Sequence, residues 1–389
     1  MRQTFVFLLI LVVIVGAVFV SAHNSFWNIE HEPPEDFFFG VSFGGKTARE
    51  AKVLIDEMKD YTNFLVVASW DLDINETALS EVCDYAADSG LSFIVFFDYI
   101  SLHEEGYTWH PDWVTSAEER WPDKFLGIYI YEEPGGKQID TGKFDEMVHE
   151  RQTLFDNVTT YDEAAEIFVR ELPRGYSFYY LEMNNITRFV SDYALYWFDY
   201  LAGYNTVFVE LGWNHSTPQQ IGLCRGAATN QGKDWGSIIV WNTPDDVSSV
   251  KSGDEMYEDM MNSYEAGAKY VVVFNYYKYP EETSLGTLTN DQLLAMRQFW
   301  SYASNNHDDW GKTQATVAFV LPKNYGWGMR FPEDNIWGLF EADEKSALIW
   351  SNMNKLIDVY GLELDIVYDD SSFRYEKYDK VYYWNSTIN

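Results

Sequence analysis

The chain has 389 residues, and its 27 lysines and arginines against 61 aspartates and glutamates leave a net charge of −34. That balance argues against nucleic acid and anionic lipid surfaces as partners, because both require a basic patch. A solvated acidic surface accounts for the excess, and the two cysteines, Cys83 and Cys224, either form one bridge or stay as buried free thiols, with no disulfide framework implied.

The chain opens MRQTFVFLLILVVIVGAVFVSA, in which Arg2 precedes an apolar run from Phe5 to Val20 and small residues follow at Ser21 and Ala22. Residues 1–22 therefore read as a secretory signal peptide or, if uncleaved, as a membrane anchor just short of a full span. Either reading puts the body of the protein outside the cytoplasm, secreted or at the cell surface, and limits membrane contact to this segment. Asn-x-Ser/Thr sites at Asn75, Asn157, Asn185, Asn214 and Asn385 agree with export.

Gly40 to Thr47, GVSFGGKT, fits the phosphate-cradling pattern G-x-x-x-x-G-K-[ST]. The fit does not survive its context. Gly40 falls inside the apolar run DFFFGVSF, which continues as strand where a phosphate loop needs backbone amides turned inward. Gly44-Gly45 is expected to turn the chain and Thr47 to cap the next helix. An exported nucleotide hydrolase is set aside on these grounds.

From there the chain alternates. Apolar strands are predicted at DFFFGVSF, NFLVVASW, LSFIVFFDY, KFLGIYIYEE, SFYYLE, NTVFVELGW, GSIIVWN and KYVVVFNYY, each followed by a helical segment. The fifth of these helices is read as ITRFVSDYALYWFDYLAG. Continuous apolar runs are what buried parallel strands require. Eight β-then-α units predict a (β/α)8 TIM barrel over residues 23–312, with an open doubly wound sheet as the alternative. A small C-terminal α/β layer follows over 313–389, with strands in ATVAFVLP, LELDIVYD and KVYYWN and one helix between Phe340 and Gly361.

In such a barrel chemistry sits at the C-terminal strand ends. Those ends carry Trp70 on strand 2, Asp98 and Tyr99 on strand 3, and Tyr131, Glu132 and Glu133 on strand 4. They continue with Glu182 on strand 5, Glu210 and Trp213 on strand 6, Trp241 and Asn242 on strand 7, and Asn275 and Tyr276 on strand 8. Acids and indoles converging on one mouth suit a neutral polyol with apolar faces, that is, a carbohydrate. Cleaving a glycosidic bond takes two carboxylates, one to protonate the leaving oxygen and one to attack or to activate water. No His-Glu-x-x-His, paired histidines or Cys-x-x-Cys is present, so neither a metal nor a cofactor is expected.

The strand-4 end, GIYIYEEPGG, resembles that of (β/α)8 glycoside hydrolases of the clan whose strand 4 ends in Asn-Glu-Pro or Asp-Glu-Pro. Glu133-Pro134 matches the Glu-Pro pair, and the resemblance implies that Glu133 is the general acid/base. Glu132 stands where the family has Asn or Asp. That residue holds the sugar 2-hydroxyl in one class and steadies a substrate N-acetyl group in another. The C-terminal unit is similar to the accessory layer that follows the barrel in some β-galactosidase-like enzymes. The family's retaining members keep their nucleophile at the end of strand 7, but here that strand ends in Trp241-Asn242. Glu210 is the expected second carboxylate, with Glu182 behind it and Glu132 as the residue of a substrate-assisted route. The expected function is an extracellular glycoside hydrolase. The alternative, favoured by the missing strand-7 acid, is a barrel that binds glycans without cleaving them.

Overall fold

The computed structural model describes residues 32–97, 110–144, 154–242, 249–276 and 285–388. The N-terminal segment 1–22, Asp98 and Tyr99 lie outside them. Eight parallel strands close into a barrel in chain order: β1 (Phe38–Phe43), β2 (Phe64–Val67), β3 (Ser92–Phe97), β4 (Phe125–Ile130), β5 (Arg188–Asp192), β6 (Thr206–Leu211), β7 (Asp234–Ile239) and β8 (Tyr270–Val273). Closure is direct, with Phe38 to Val41 of β1 paired to Tyr270 to Val273 of β8. The expected (β/α)8 barrel is the fold.

Alternate strand residues point inward and fill the barrel. Phe64, Val66, Ile94, Tyr129, Phe189, Phe208, Tyr270 and Val272 form one buried cluster. Phe189 stacks on Phe208 at 5.7 Å and meets Tyr270 edge-on at 5.4 Å. The outward residues, such as Phe39, Val41, Leu65 and Val95, belong to the second cluster between strands and helices. Much of the aromatic excess is spent here. Trp113, Trp121, Trp197, Trp235, Trp300, Trp327 and Trp337 are all buried packing residues, so aromatic content by itself did not mark a sugar site.

The phosphate-loop pattern resolves into strand, turn and cap. Gly40 lies mid-β1, where a side-chain carbon would come within 1.7 Å of the Phe64 carbonyl oxygen. Gly44 bridges to Tyr276, and Thr47 caps α1 (Ala48–Met58) in a reciprocal box with Glu50. The glycine is there for strand contact, not for phosphate. Gly40→Ala is therefore expected to lower stability by about 2–3 kcal/mol or more, checked by urea unfolding against wild type.

Strand 5 is where the sequence reading fails. SFYYLE is not a strand but part of α7 (Tyr176–Met183), which buries Phe178 and Leu181 three residues apart and exposes Tyr176, Tyr179 and Met183. The true β5, RFVSD, lies inside the segment read as one long helix, and only its remainder, α8 (Tyr196–Ala202), is helical. The break falls at Asn184-Asn185, where Asn185 takes a left-handed conformation. Of the helices between β1 and α7, α2 spans Trp70–Asp73, α3 Glu76–Asp88, α4 Pro111–Arg120, α5 Pro134–Thr141 and α6 Tyr161–Glu171.

After α8 come α9 (Thr217–Gln231), α10 (Gly253–Glu265) and α11 (Asn290–Asn305). The C-terminal layer is a parallel three-stranded sheet in the order β10 (Leu364–Tyr368), β9 (Val317–Leu321), β11 (Lys380–Tyr383), with α12 (Glu344–Tyr360) joining β9 to β10. It packs on α9. Side-chain carbons at Gly222 and Gly226 would meet the carbonyl oxygens of Leu364 at 2.7 Å and Ile366 at 2.9 Å, so only glycine lets the helix and β10 approach this closely. Cys83 and Cys224 are both buried free thiols.

Candidate active site

The mouth is built around the turn that follows β4. Tyr131 and Glu133 both take left-handed φ values, 62° and 52°, and α5 starts immediately after with Pro134 at its first position. The Glu133 N–H donates to the Ser191 carbonyl at 3.0 Å, and the Glu133 carbonyl accepts from Lys137 N at 2.8 Å. The next two residues have to be glycine. A side-chain carbon on Gly135 would lie 2.4 Å from the Ala194 carbonyl oxygen, and one on Gly136 would lie 2.1 Å from the Tyr193 ring. Their free amides point at Asp192, whose Oδ2 accepts from Gly135 N at 2.6 Å and whose Oδ1 accepts from Gly136 N at 2.8 Å. Oδ1 also accepts from the amides of Tyr193 (2.8 Å) and Ala194 (3.1 Å). Asp192 is fully buried. It pins the N-terminus of α5, and with it Glu133, to the end of β5.

Glu210 comes from the penultimate position of β6 and is 3% exposed. Both its oxygens are held: Oε1 accepts from Ser191 Oγ at 2.8 Å and Oε2 from Trp213 Nε1 at 2.6 Å. Ser191 Oγ also hydrogen-bonds Tyr129 Oη at 2.6 Å; since it donates to Glu210, Tyr129 donates to it. Trp213 and Asn214 add two more left-handed residues, φ 54° and 56°. The Trp213 amide donates to the Trp241 carbonyl at 2.8 Å, and Asn214 Nδ2 to the Asn242 carbonyl at 2.8 Å. With Leu195 at φ 54°, five non-glycine residues in this costly conformation gather at the ends of β4, β5 and β6. Backbone strain of this kind concentrates at functional sites.

The electrostatics follow from this packing. Burial pushes the Glu133 carboxyl well above the ordinary range, and the adjoining Glu210 carboxyl, within hydrogen-bonding reach, pushes it further. Burial lifts Glu210 to about 7 against the pull of the Trp213 and Ser191 hydrogen bonds. Burial likewise raises Asp192 to about 6, with its four amide donors holding it down. Two carboxyls in contact share a proton, and the pair titrates as a unit. Glu132 is half-buried beside them, with Lys137 Nζ 3.9 Å from its Oε2 and 2.8 Å from its carbonyl oxygen.

The structure joins Glu133, Glu210, Glu132 and Trp213. Trp241 (6% exposed) lines the β7–β8 side, its ring 5.8 Å from Phe274 and 6.3 Å from the half-exposed Tyr276. Asn242 contributes its backbone, with N donating to the Ser249 carbonyl at 3.0 Å. Trp70 is 51% exposed at the start of α2, just beyond β2. Asn275 is a structural clip. Its backbone is tied to Ser42 Oγ, and its Oδ1 accepts from Thr287 N at 3.0 Å.

Two expectations are corrected. Glu182 is exposed in the last turn of α7, ahead of β5 and so at the opposite end of the strands from the mouth; it was placed in the site only because SFYYLE was read as a strand. Tyr131 is thrown outward by its left-handed backbone and packs on Phe178 of α7 at 6.4 Å, in the layer outside the barrel.

The sequence reading missed Ser191, Asp192 and Tyr193, all hidden in the supposed helix. It also missed Arg330, which reaches α5 from the C-terminal layer. Arg330 pairs with Asp334 at 2.8 Å and Asp140 at 2.6 Å, and Tyr193 Oη donates to the same Asp140. The Asn184-Asn185 turn was the one signal that could have exposed β5. Among the described residues no three His, Cys, Asp or Glu side chains are placed to hold a metal ion, and no helix is long and apolar enough to cross a membrane.

No family model and no curated protein matches the sequence. Solved structures share the fold. A GH5_18 protein from Streptomyces cattleya, crystallised with GlcNAc, superposes with a TM-score of 0.53 at 12% identity, over 91% of this chain and 99% of its own. A glutamate-to-alanine variant of that protein, with Manβ1-4GlcNAc, gives 0.51 at 12% identity, over 90% and 99%. α-L-Fucosidase isoenzyme 2 from Paenibacillus thiaminolyticus gives 0.52 at 11% identity, over 89% of this chain and 59% of its own. The chain thus has the TIM-barrel architecture found in glycoside hydrolases.

Proposed function

We propose that the protein is an extracellular glycoside hydrolase of the retaining type, with Glu133 as acid/base and Glu210 as nucleophile. One observation carries the reading: a buried carboxylate held at both oxygens, Glu210, stands beside a second carboxyl, Glu133, seated on a strained turn at the mouth of the barrel. Two carboxyls placed this near each other leave little room for the water that an inverting pair, about 6.5–9.5 Å apart, must hold, and this favours the retaining arrangement. In the first step Glu133 gives its proton to the glycosidic oxygen as the C–O bond breaks, and Glu210 forms an ester at the anomeric carbon. In the second, water loses a proton to Glu133, attacks that carbon and releases Glu210. Trp213, half-buried at the mouth, offers an apolar face for a sugar ring. The apolar N-terminal run and the Asn-x-Ser/Thr sites support export. Incubation with a panel of aryl glycosides tests the reading. Release of the aryl group with retained anomeric configuration, followed by NMR, supports it, and absence of turnover across the panel removes it.

The pH dependence follows from the shifts above. Glu210 must be ionised, so turnover falls as pH drops through about 7. Glu133 must be protonated, and burial beside Glu210 raises its carboxyl well above the ordinary range, so a second fall comes on the alkaline side. A bell-shaped profile of kcat/KM is expected, displaced toward neutral or higher pH relative to exposed carboxylates.

A second reading has its own observation. β7 leads into Trp241 and Asn242, with no acid there, which favours a barrel that binds glycans without cleaving them. Binding of oligosaccharides by calorimetry with no product by chromatography would establish it.

A further inference from the structure

Asp199, in α8, is fully buried, and neither of its carboxyl oxygens receives a hydrogen bond from any described N–H or O–H group. An ionised carboxylate in that position would be bare, stripped of water and of any donor, and strongly disfavoured. Its neighbour is another acid. Asp192, at the end of β5, lies within hydrogen-bonding reach of it and is itself fully buried. Asp192 has its acceptor sites turned to four backbone amides. The other titratable groups around Asp199 are Tyr196 and Tyr200 of its own helix and Cys224 of α9. Among the described residues none of the groups acting on it is a cation.

We propose that Asp199 is a positioning residue that stays protonated at neutral pH and donates its hydrogen to Asp192, so that the buried pair carries one negative charge and that charge holds the N-terminus of α5. The charge is useful where it is. Asp192 accepts from the first free amides of α5, an end that favours an anion, and fixes the turn bearing Glu133. Two negative charges would be mutually repelled in the low-dielectric interior, and none would release Gly135 and Gly136. Asp199 supplies the missing proton without supplying a cation. Burial and the neighbouring Asp192 both act to keep its carboxyl neutral.

The effect on turnover rests on the reading of Glu133 as acid/base, while the protonation itself does not. Infrared difference spectra between wild type and Asp199→Asn at pH 7 test the latter. A protonated-carboxyl C=O band lost in the variant is expected; only a carboxylate band lost would overturn the proposal. Asp199→Asn keeps a donor of the same shape and no charge, so its Tm and pH profile should match wild type. Asp199→Ala removes the donor. Its Tm should fall and kcat should drop ~10-fold or more through misplacement of Glu133. If Asp199→Asn is as damaged as Asp199→Ala in Tm, Asp199 is ionised and the proposal fails. If neither variant changes Tm or the pH profile, it fails as a positioning residue. A protein inactive on every glycoside would still be judged by the infrared and Tm arms.

Discussion

Glu133→Gln is expected to lower kcat on a natural-type glycoside by about two to four orders of magnitude, the usual worth of a positioned acid/base, while leaving ligand affinity and Tm near wild type. The amide fits the same turn, since what seats Glu133 is its backbone: N–H to Ser191 and carbonyl to Lys137 N. The loss should depend on the leaving group. A nitrophenolate departs with little protonation, so aryl glycosides of low leaving-group pKa should lose far less in the first step than an alkyl glycoside. Steady-state rates across such a series, with calorimetric affinities alongside, measure this directly. Uniform loss over the whole series would point to disturbed binding, and no loss at all would take Glu133 out of the chemistry.

The second large effect concerns the joint between barrel and C-terminal layer. Arg225 of α9 is 6% exposed and Asp365 of β10 is 1% exposed, with Nε 2.8 Å from Oδ1. The guanidinium also donates to the carbonyls of Thr313, Leu362 and Leu364. Asp365 Oδ2 accepts from Tyr378 Oη at 2.9 Å. Removing one member leaves a buried charge without its counter-ion. Asp365→Ala should cost about 3–5 kcal/mol, read from urea unfolding. Arg225→Met combined with Asp365→Leu should recover much of that loss, because well-packed apolar pairs often replace buried ion pairs at little cost. A double variant as unstable as the single one would show that the carbonyl hydrogen bonds, rather than the charges, hold the joint.

These two sites differ in how visible they were from residues alone. The barrel could be read because buried parallel strands announce themselves as apolar runs, and seven of the eight fell where expected. In GIYIYEEPGG the Glu133-Pro134 pair could be read, and the rest of the turn became clear only in the structure. Pro134 starts the helix, Gly135 and Gly136 make room for the β5 loop, and Glu133 is left at the rim. RFVSD could not be read, because five residues with a polar end look like one turn of the amphipathic helices around them. Tertiary pairing with β4 and β6 makes it a strand. Losing β5 meant losing Asp192, Ser191 and Asp199, and it promoted Glu182 falsely. Left-handed residues at Tyr131, Leu195 and Trp213 leave no mark in sequence either, since none is glycine or asparagine. The Arg225–Asp365 pair spans 140 residues, and no local pattern links its members.

That same span has a consequence for the order of synthesis. Arg225 leaves the ribosome long before Asp365 exists, and the barrel's last strand is complete about 90 residues before β10 appears. Through that interval α9 has its barrel face covered and its other face open. That open face holds Gly222, Gly226 and the Arg225 guanidinium, which β10 later covers. A nascent barrel is therefore a receptor waiting for its own tail. A chain stopped near residue 312 would be not a smaller protein but an unfinished one, offering that face to the next free strand it meets.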